Sequence, residues 1–318
     1  MFSVVVPLYN KQDFVRRTID SVLAQSLGDF EVIVVDDGST DDSVARLEAY
    51  SDPRLRIVRQ ANSGEGAARN RGLHESRYEW IALLDADDYW FPDHLAALAE
   101  MIVLYPRAGL AATSYMEGED PYAVQPQICG VEIEEIDYFR VAARQIGVVW
   151  SSAVALRRDI VRQVGDFGPW RTGADLEYWA RMALKAPVIK SNRITAYYLR
   201  NEQSVMFQEQ NKPIDGEPKT VFELWPSVGF LEGVRHAPEH NRRRKAIEGY
   251  QRNAAYLSMI GFLARGEIAR ARRIARSVPG HRIDRAAVVA VALGLPNFLL
   301  RALLAVRKRR RLGHMQPR

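Results

Sequence analysis

Three acids crowd four positions in Leu83-Leu-Asp-Ala-Asp-Asp-Tyr-Trp90, directly after an apolar run. Carboxylates packed this closely raise one another's pKa unless a positive partner sits among them. A hard divalent ion such as Mg²⁺ or Mn²⁺ takes oxygen ligands, commonly one or two carboxylates plus substrate phosphates. In an extended segment Asp85 and Asp87 point to the same side, so both are expected to face one cation, with Asp88 beside them. A purely structural loop is the alternative, but no basic residue lies nearby in sequence to neutralise it. A second acidic pair occurs in Val34-Val-Asp-Asp-Gly-Ser-Thr-Asp41. Turn and helix N-cap chemistry explains the end of that stretch, with Ser39 or Thr40 capping and Asp41 and Asp42 favouring the positive helix terminus. It does not require Asp36 and Asp37 side by side, whereas a nucleotide base or ribose edge would. In Pro7-Leu-Tyr-Asn-Lys11 the proline closes a strand and sets Tyr9 and Asn10 where a ligand would meet it, although such a turn is often only a turn.

Between these motifs lies Asn62-Ser-Gly-Glu-Gly-Ala-Ala-Arg-Asn-Arg-Gly72. Gly64-x-Gly66 after a strand and before a helix invites a dinucleotide-binding reading. The third glycine position, however, is Arg69, and the downstream acid belongs to a triplet. Arg69 reads better as a phosphate or nucleotide contact.

The elements that must position these residues alternate between two periodicities. Short β-branched runs at 2–6, 30–35, 54–59 and 79–84 alternate with amphipathic helices, the first placing Val15, Ile19, Val22 and Leu23 on one face. Four strand–helix units imply a parallel sheet with helices on both faces, whose ligands bind beyond the carboxyl ends of the strands. Further on, a loop is expected around 117–130, an apolar run spans Val148 to Leu156, and helices start near Asp159 and cover Ala174 to Ala186. A strand is expected from Thr195 to Leu199. Residues 206–219, polar and rich in Pro and Gly, read as a linker, and the rest is helical, for example Ala246 to Leu263 and Glu267 to Ser277.

The hydrophobic fraction of 47% is that of a globular protein, and one cysteine, Cys129, excludes an internal disulfide framework. The N-terminus reads as a strand and not as a signal peptide, so the expected location of the site is cytoplasmic. The net charge of +5 comes from the tail: residues 301–318 hold seven Lys or Arg and no acid. The body is therefore no nucleic-acid binder. An apolar run at 286–306 followed by Arg307-Lys-Arg-Arg-Arg311 suggests a helix peripheral to an anionic membrane surface; a terminal helix packed on its own domain is the alternative.

VVVPLYNK, VIVVDDGSTDDS, NSGEGAARNRGL and IALLDADDYW, in that order and spacing, resemble family 2 of the inverting glycosyltransferases, and the likeness covers about residues 1–204. The resemblance implies a GT-A fold, an α/β Rossmann-like mixed sheet flanked by helices, here followed by an α-helical C-terminal region. It implies a catalytic domain over 1–205, with a nucleotide-sugar half at about 1–106 and an acceptor half at about 107–205, before a C-terminal region over 220–318. Pro7, Tyr9 and Asp36 would cradle the nucleotide base, assisted by Asn10 and Asp37. Arg69 would contact the nucleotide, and Asp85 and Asp87 would hold Mn²⁺ or Mg²⁺ with the diphosphate. Gly165-Asp-Phe-Gly168 and Thr172 to Arg181 are similar to the family's acceptor-side segment, where a Glu-Asp pair opens a helix and the Asp is the base. Here Ala174 replaces the Glu and Asp175 keeps the Asp, with Glu177 in reserve and Trp150 a further candidate. A histidine common in relatives is replaced near Asn201, and the Gln-x-x-Arg-Trp motif of processive synthases is absent.

The resemblance thus implies transfer of a sugar from a nucleotide-diphosphate donor, most commonly a UDP-sugar, to a glycan or lipid-linked acceptor in bacterial surface polysaccharide synthesis. Two rivals stand beside it. A sugar nucleotidyltransferase would want a Gly-rich basic loop after the first strand, where this chain has Pro-Leu-Tyr-Asn-Lys. A non-catalytic nucleotide-sugar-binding relative would fit the altered Ala174.

Overall fold

The computed structural model describes residues 2–123, 126, 130–200, 220–264 and 267–277. The expected linker, the basic tail at 286–311, Cys129 and Asn201 lie outside the described residues. The chain divides into two compact units, Met1–Tyr138 with Gly147–Pro213, and Phe139–Ile146 with Ile214–Arg318.

The first unit is built on one nine-stranded sheet. Its strands are β1 (Phe2–Leu8), β2 (Phe30–Asp36), β3 (Leu55–Arg59), β4 (Trp80–Leu83), β5 (Tyr89–Trp90), β6 (Leu110–Gly118), β7 (Ile133–Ile136), β8 (Val154–Arg157) and β9 (Val188–Leu199). Their order is β3-β2-β1-β4-β8-β6-β9-β5, with β7 paired to β9. The four N-terminal strands, β3, β2, β1 and β4, are parallel, as the alternating pattern requires. Beyond β4 the sheet turns mixed, since β8 runs antiparallel to both β4 and β6. Helices α1 (Val15–Leu23), α2 (Ser43–Glu48), α3 (Glu65–Glu75), α4 (His94–Leu104), α6 (Arg158–Val164) and α7 (Ala174–Lys185) complete the unit, and α5 (Tyr138–Ala142) marks its boundary.

Alternation along β1 sorts the helices onto two faces. Val4, Val6 and Leu8 pack with Val15, Ile19 and Val22 of α1 and with Leu95, Leu98 and Met101 of α4, all fully buried. Val5 points the other way, onto α3. There a side chain at Gly72 would place its Cβ 2.2 Å from Val5 Cγ1, so only glycine lets the helix lie this close to the strand. Pro7 sits in a central strand but two residues beyond the last β1–β4 pair, Val5 with Leu83, so its missing N–H removes no rung on that side.

Several local expectations change. The segment after β4 is a turn and not extended, closed by the Asp88 N–H donating to the Asp85 carbonyl at 3.0 Å. Only the last part of the apolar run 148–156 is a strand, because Ser151–Ala153 form a single 3-10 turn ahead of β8. The strand expected at 195–199 starts earlier, at Val188, and the two- and four-residue strands β5 and β7 carry no sequence periodicity of their own.

The second unit holds α8 (Val221–Leu224), α9 (Pro226–Val234), α10 (Arg244–Ala264) and α11 (Ile268–Ser277). Thr220 and Glu223 form a capping box at the start of α8. Two polar pairs tie the unit together, the buried Ser227 with Tyr250 at 2.8 Å and the half-buried Trp225 Nε1 donating to Ser258 Oγ at 2.6 Å. Among the described residues no helix is long and apolar enough to cross a membrane.

The fit of α3 on β1 gives a direct test. Gly72→Ala gains about 1 kcal/mol of helix propensity, but the clash with the stiff, buried Val5 costs about 1–3 kcal/mol. The expected result in urea unfolding is a net loss of stability, partly restored when Val5→Ala is added. Equal and additive effects of the two changes would show that no close approach exists.

Candidate active site

Because β1, β2 and β4 are parallel, their carboxyl ends lie along one edge, and the loops that follow them meet there. The first two loops are stitched to each other. Asn10, at φ 51°, accepts from the Thr40 N–H at 2.8 Å and donates to Thr40 Oγ1 at 3.3 Å. The Asn10 N–H donates to Ser39 Oγ at 3.1 Å, the Lys11 N–H to Ser43 Oγ at 2.8 Å, and the Gln12 N–H to Asp41 Oδ2 at 3.1 Å. Ser39 and Thr40 therefore grip the neighbouring loop instead of capping α2, whose N-cap residue is Asp42. Tyr9 is left 47% exposed at the strand end.

Asp36 and Asp37 diverge in role. Asp36 is buried and accepts from the Ser39 N–H at 3.0 Å. Asp37 holds the next loop: its carboxylate accepts from Gln60 Nε2 at 2.7 Å, the Ser63 N–H at 2.9 Å and the Gly64 N–H at 2.8 Å. That grip fixes Gly64, at φ 92°, immediately ahead of α3. One turn into α3, Arg69 is buried and donates to Glu65 Oε1 at 2.5 Å and Asp85 Oδ1 at 2.7 Å. Burial opposes its charge, yet Glu65 and Asp85 hold the guanidinium above its ordinary range. The group also lies 5.7 Å from the centroid of the Phe167 ring. Asn70, the next residue, clamps the Phe167 backbone through both its amide groups, at 2.7 and 3.0 Å.

The turn after β4 presents its three acids differently. Asp85 faces Arg69, whereas Asp87 Oδ2 pairs with Lys11 Nζ at 2.5 Å. Asp88 is buried: it accepts from Ser152 Oγ, from Trp150 Nε1 at 3.4 Å and from the Leu199 N–H at 3.2 Å. Burial, then the charges of Asp87 and Asp85, push the Asp88 carboxyl well above the usual carboxylate range, against the Ser152 hydrogen bond. Ser152 also accepts the Asp85 N–H at 3.1 Å, so one hydroxyl anchors both ends of the turn.

On α7, Asp175 is partly buried near the N-terminus, close enough to Arg69 and Asp85 for their charges to act on it. Burial raises its carboxyl above the ordinary range; Arg69 opposes this and Asp85 adds to it. Glu65 feels Asp85, Asp175 and Asp87 as well. Arg69 pulls its carboxyl down, but desolvation and the three neighbouring acids prevail and raise it. Glu177 sits elsewhere. It is buried against Arg181, at 2.8 and 2.9 Å, and Arg181 in turn holds the carbonyls of Val164 and Asp166. Trp150 packs at a tilt against Tyr115 and Tyr198, at 5.2 and 4.8 Å between centroids.

Glu65, Asp85, Asp87 and Asp175 thus share one cleft with two cations, Arg69 and Lys11. The excess of negative charge suits a divalent ion, and the donor set is all carboxylate. Among the described residues no group of three or more His, Cys, Asp or Glu side chains could hold a metal alone. Lys11, Glu65 and Ser152 were not singled out from the sequence. Lys11 stood inside a motif that reads as a turn, and neither Glu65 nor Ser152 carries a periodic signal.

The pair of hydrogen bonds made by Ser152 is testable. Ser152→Ala takes one of three donors from the buried Asp88 and leaves the Asp85 N–H without this acceptor, at an expected cost of about 1–3 kcal/mol, read as a lower urea midpoint at unchanged slope. An unchanged midpoint would remove Ser152 from the site's support.

A family model described as Glycosyl transferase family 2 matches residues 3–165, just over half of the 318. An uncharacterized glycosyltransferase of Nostoc sp. is 33% identical over 208 residues, 62% of this chain and 63% of its own length. The succinoglycan biosynthesis protein ExoO of Rhizobium meliloti is 45% identical over 97 residues, 30% of this chain and 28% of its own length. The matched part is therefore less than two thirds of these curated relatives. Among solved structures, S. aureus TarS 1-349 in complex with UDP-GlcNAc superposes with a TM-score of 0.69 at 19% identity, covering 92% of this chain and 87% of that one. The mannosyltransferase PcManGT from Pyrobaculum calidifontis, in complex with GDP-Man and Mn²⁺, gives 0.60 at 18% identity over 98% and 80%. Such low identities establish the fold, which is of the GT-A type. With the sheet, the strand-end loops and the family match in agreement, the chain belongs to glycosyl transferase family 2.

Proposed function

We propose that the protein is an inverting glycosyltransferase that moves a sugar from a nucleoside-diphosphate donor, a UDP-sugar first among the candidates, to a hydroxyl of a glycan or lipid-linked acceptor in bacterial surface polysaccharide synthesis. The observation that carries this reading is the convergence of Asp85, Asp87, Arg69 and Asp175 from three separate elements on one cleft at the carboxyl edge of the sheet. The relatives add support, since TarS binds UDP-GlcNAc and ExoO belongs to succinoglycan biosynthesis.

In this mechanism Tyr9 and Asp36 receive the base, and Arg69 faces the diphosphate. Asp85 and Asp87 would hold Mn²⁺ or Mg²⁺, which when bound would neutralise charge developing on the departing diphosphate. Asp175 accepts the proton of the acceptor hydroxyl as its oxygen attacks the anomeric carbon from the face opposite the nucleotide. The bond to the diphosphate oxygen breaks with its electron pair going to that oxygen, so the leaving group needs no proton. One carboxylate base therefore suffices.

A donor panel tests the class: UDP-, GDP- and dTDP-sugars with Mn²⁺, Mg²⁺ or EDTA, following nucleotide release. Slow release from one donor, abolished by EDTA, is expected; no binding and no release with any donor would sink the reading. Once an acceptor is known, Asp175→Asn is expected to lower kcat by on the order of 10² to 10⁴. Full turnover in Asp175→Asn or Asp87→Asn would refute that residue's role. Because burial raises the Asp175 carboxyl and the base must be ionised, kcat/KM is expected to fall on the acid side at a pH above its ordinary value of 3.8.

A further inference from the structure

Two cations pair with the acidic turn after β4, and they are held in different ways. Arg69 is locked between Glu65 and Asp85, above the Phe167 ring. Lys11 has its backbone pinned: its N–H donates to Ser43 Oγ at 2.8 Å, and its carbonyl accepts the N–H groups of Phe14 and Val15 at 3.0 and 2.9 Å. Its ammonium then reaches across to Asp87 on four rotatable methylenes, with the two side chains 17% and 12% exposed. The Phe14 ring lies 5.9 Å from Nζ and supplies no competing carboxylate. A compact charge on a flexible stem with a fixed base can change partner without moving the loop.

We propose that Lys11 is a displaceable counter-ion of Asp87 that makes cation binding at Asp85 and Asp87 depend on the donor's diphosphate. This rests on the reading of Asp85 and Asp87 as the metal carboxylates. The ammonium and a divalent ion claim the same Asp87 carboxylate and repel each other, so Lys11 opposes the ion when the ion comes alone. A diphosphate alters the balance. It brings new negative charge into the cleft, gives the ammonium a second anion to turn to, and gives the ion phosphate ligands. Ion and nucleotide then strengthen each other's binding, and by linkage the factor is the same in both directions. Lys11 also discourages idle occupation of the cleft by free divalent ions.

The test compares wild type with Lys11→Met, which keeps the stem and removes the charge, and with Lys11→Arg, which keeps a charge. Lys11→Gln serves if Lys11→Met does not fold. Free Mn²⁺ is followed by electron paramagnetic resonance with and without UDP, GDP or dTDP, and nucleotide binding in EDTA by calorimetry. In Lys11→Met, Mn²⁺ alone is expected to bind about fivefold tighter or more, and nucleotide in EDTA to bind more weakly. The gain in Mn²⁺ affinity brought by nucleotide is expected to shrink by about the same factor. Lys11→Arg is expected to keep most of that gain. Wild-type coupling that persists undiminished in Lys11→Met, or Mn²⁺ alone binding no tighter, would overturn the role of Lys11 and leave the metal site standing. A wild type that binds no Mn²⁺ with any of the nucleotides would overturn the metal site and the inference together.

Discussion

Arg69 carries the charge around which the cleft is arranged. Its guanidinium is buried, and a buried cation is tolerable only where anions and hydrogen bonds meet it. Glu65 comes to it from its own helix and Asp85 from the turn after β4, while Asn70 beside it clamps Phe167 in the segment between α6 and α7. The arginine therefore sets the distance between α3, the acidic turn and the approach to α7. Removing one of these partners would leave a charge stranded in a poorly hydrated cleft, which couples the positions of all of them.

The motif residues are mostly engaged with each other. Asn10 with Ser39 and Thr40, Asp41 with Gln12, and Asp37 with the loop at 60–64 join the three strand-end loops side by side. Residues that read as ligand contacts thus hold backbone in place. Asp36, Tyr9 and the acids of the turn are then presented on a prepared frame, and such preorganisation lets a polar site act without rearranging at each turnover.

What was legible in the sequence follows from range. The parallel strands at 2–8, 30–36 and 80–83 announce themselves because each is a largely apolar run buried on both faces, while the edge strand at 55–59, Leu-Arg-Ile-Val-Arg, is only half-buried and shows through its β-branched residues. The helices at 158–164 and 174–185 and the two at 244–264 and 268–277 show the helical period. The acidic turn and Arg69 stand out by composition. Pairings did not. Lys11 meets Asp87 across 76 positions and Ser152 meets Asp88 across 64, so no local pattern encodes either. The strands β5 and β7 exist only because β9 is there to pair with them. The turn at 85–88 replaces the extended segment because Thr18 reaches up from α1 to the Ala86 and Asp88 carbonyls, at 2.9 and 2.8 Å.

The bond from the Leu199 N–H to Asp88 spans 111 positions. A ribosome adding about 5–20 residues per second takes seconds to supply that partner. Until then the nascent chain carries the whole acidic turn, with Lys11 and Arg69 already made, but without the strand that closes over Asp88. The N-terminal strands are synthesised first, yet the buried Asp88 carboxyl at their edge is completed only with β9. Assembly of the cleft is timed by the far end of the sheet, and a chain interrupted before β9 would display the acids without the pocket that tames them.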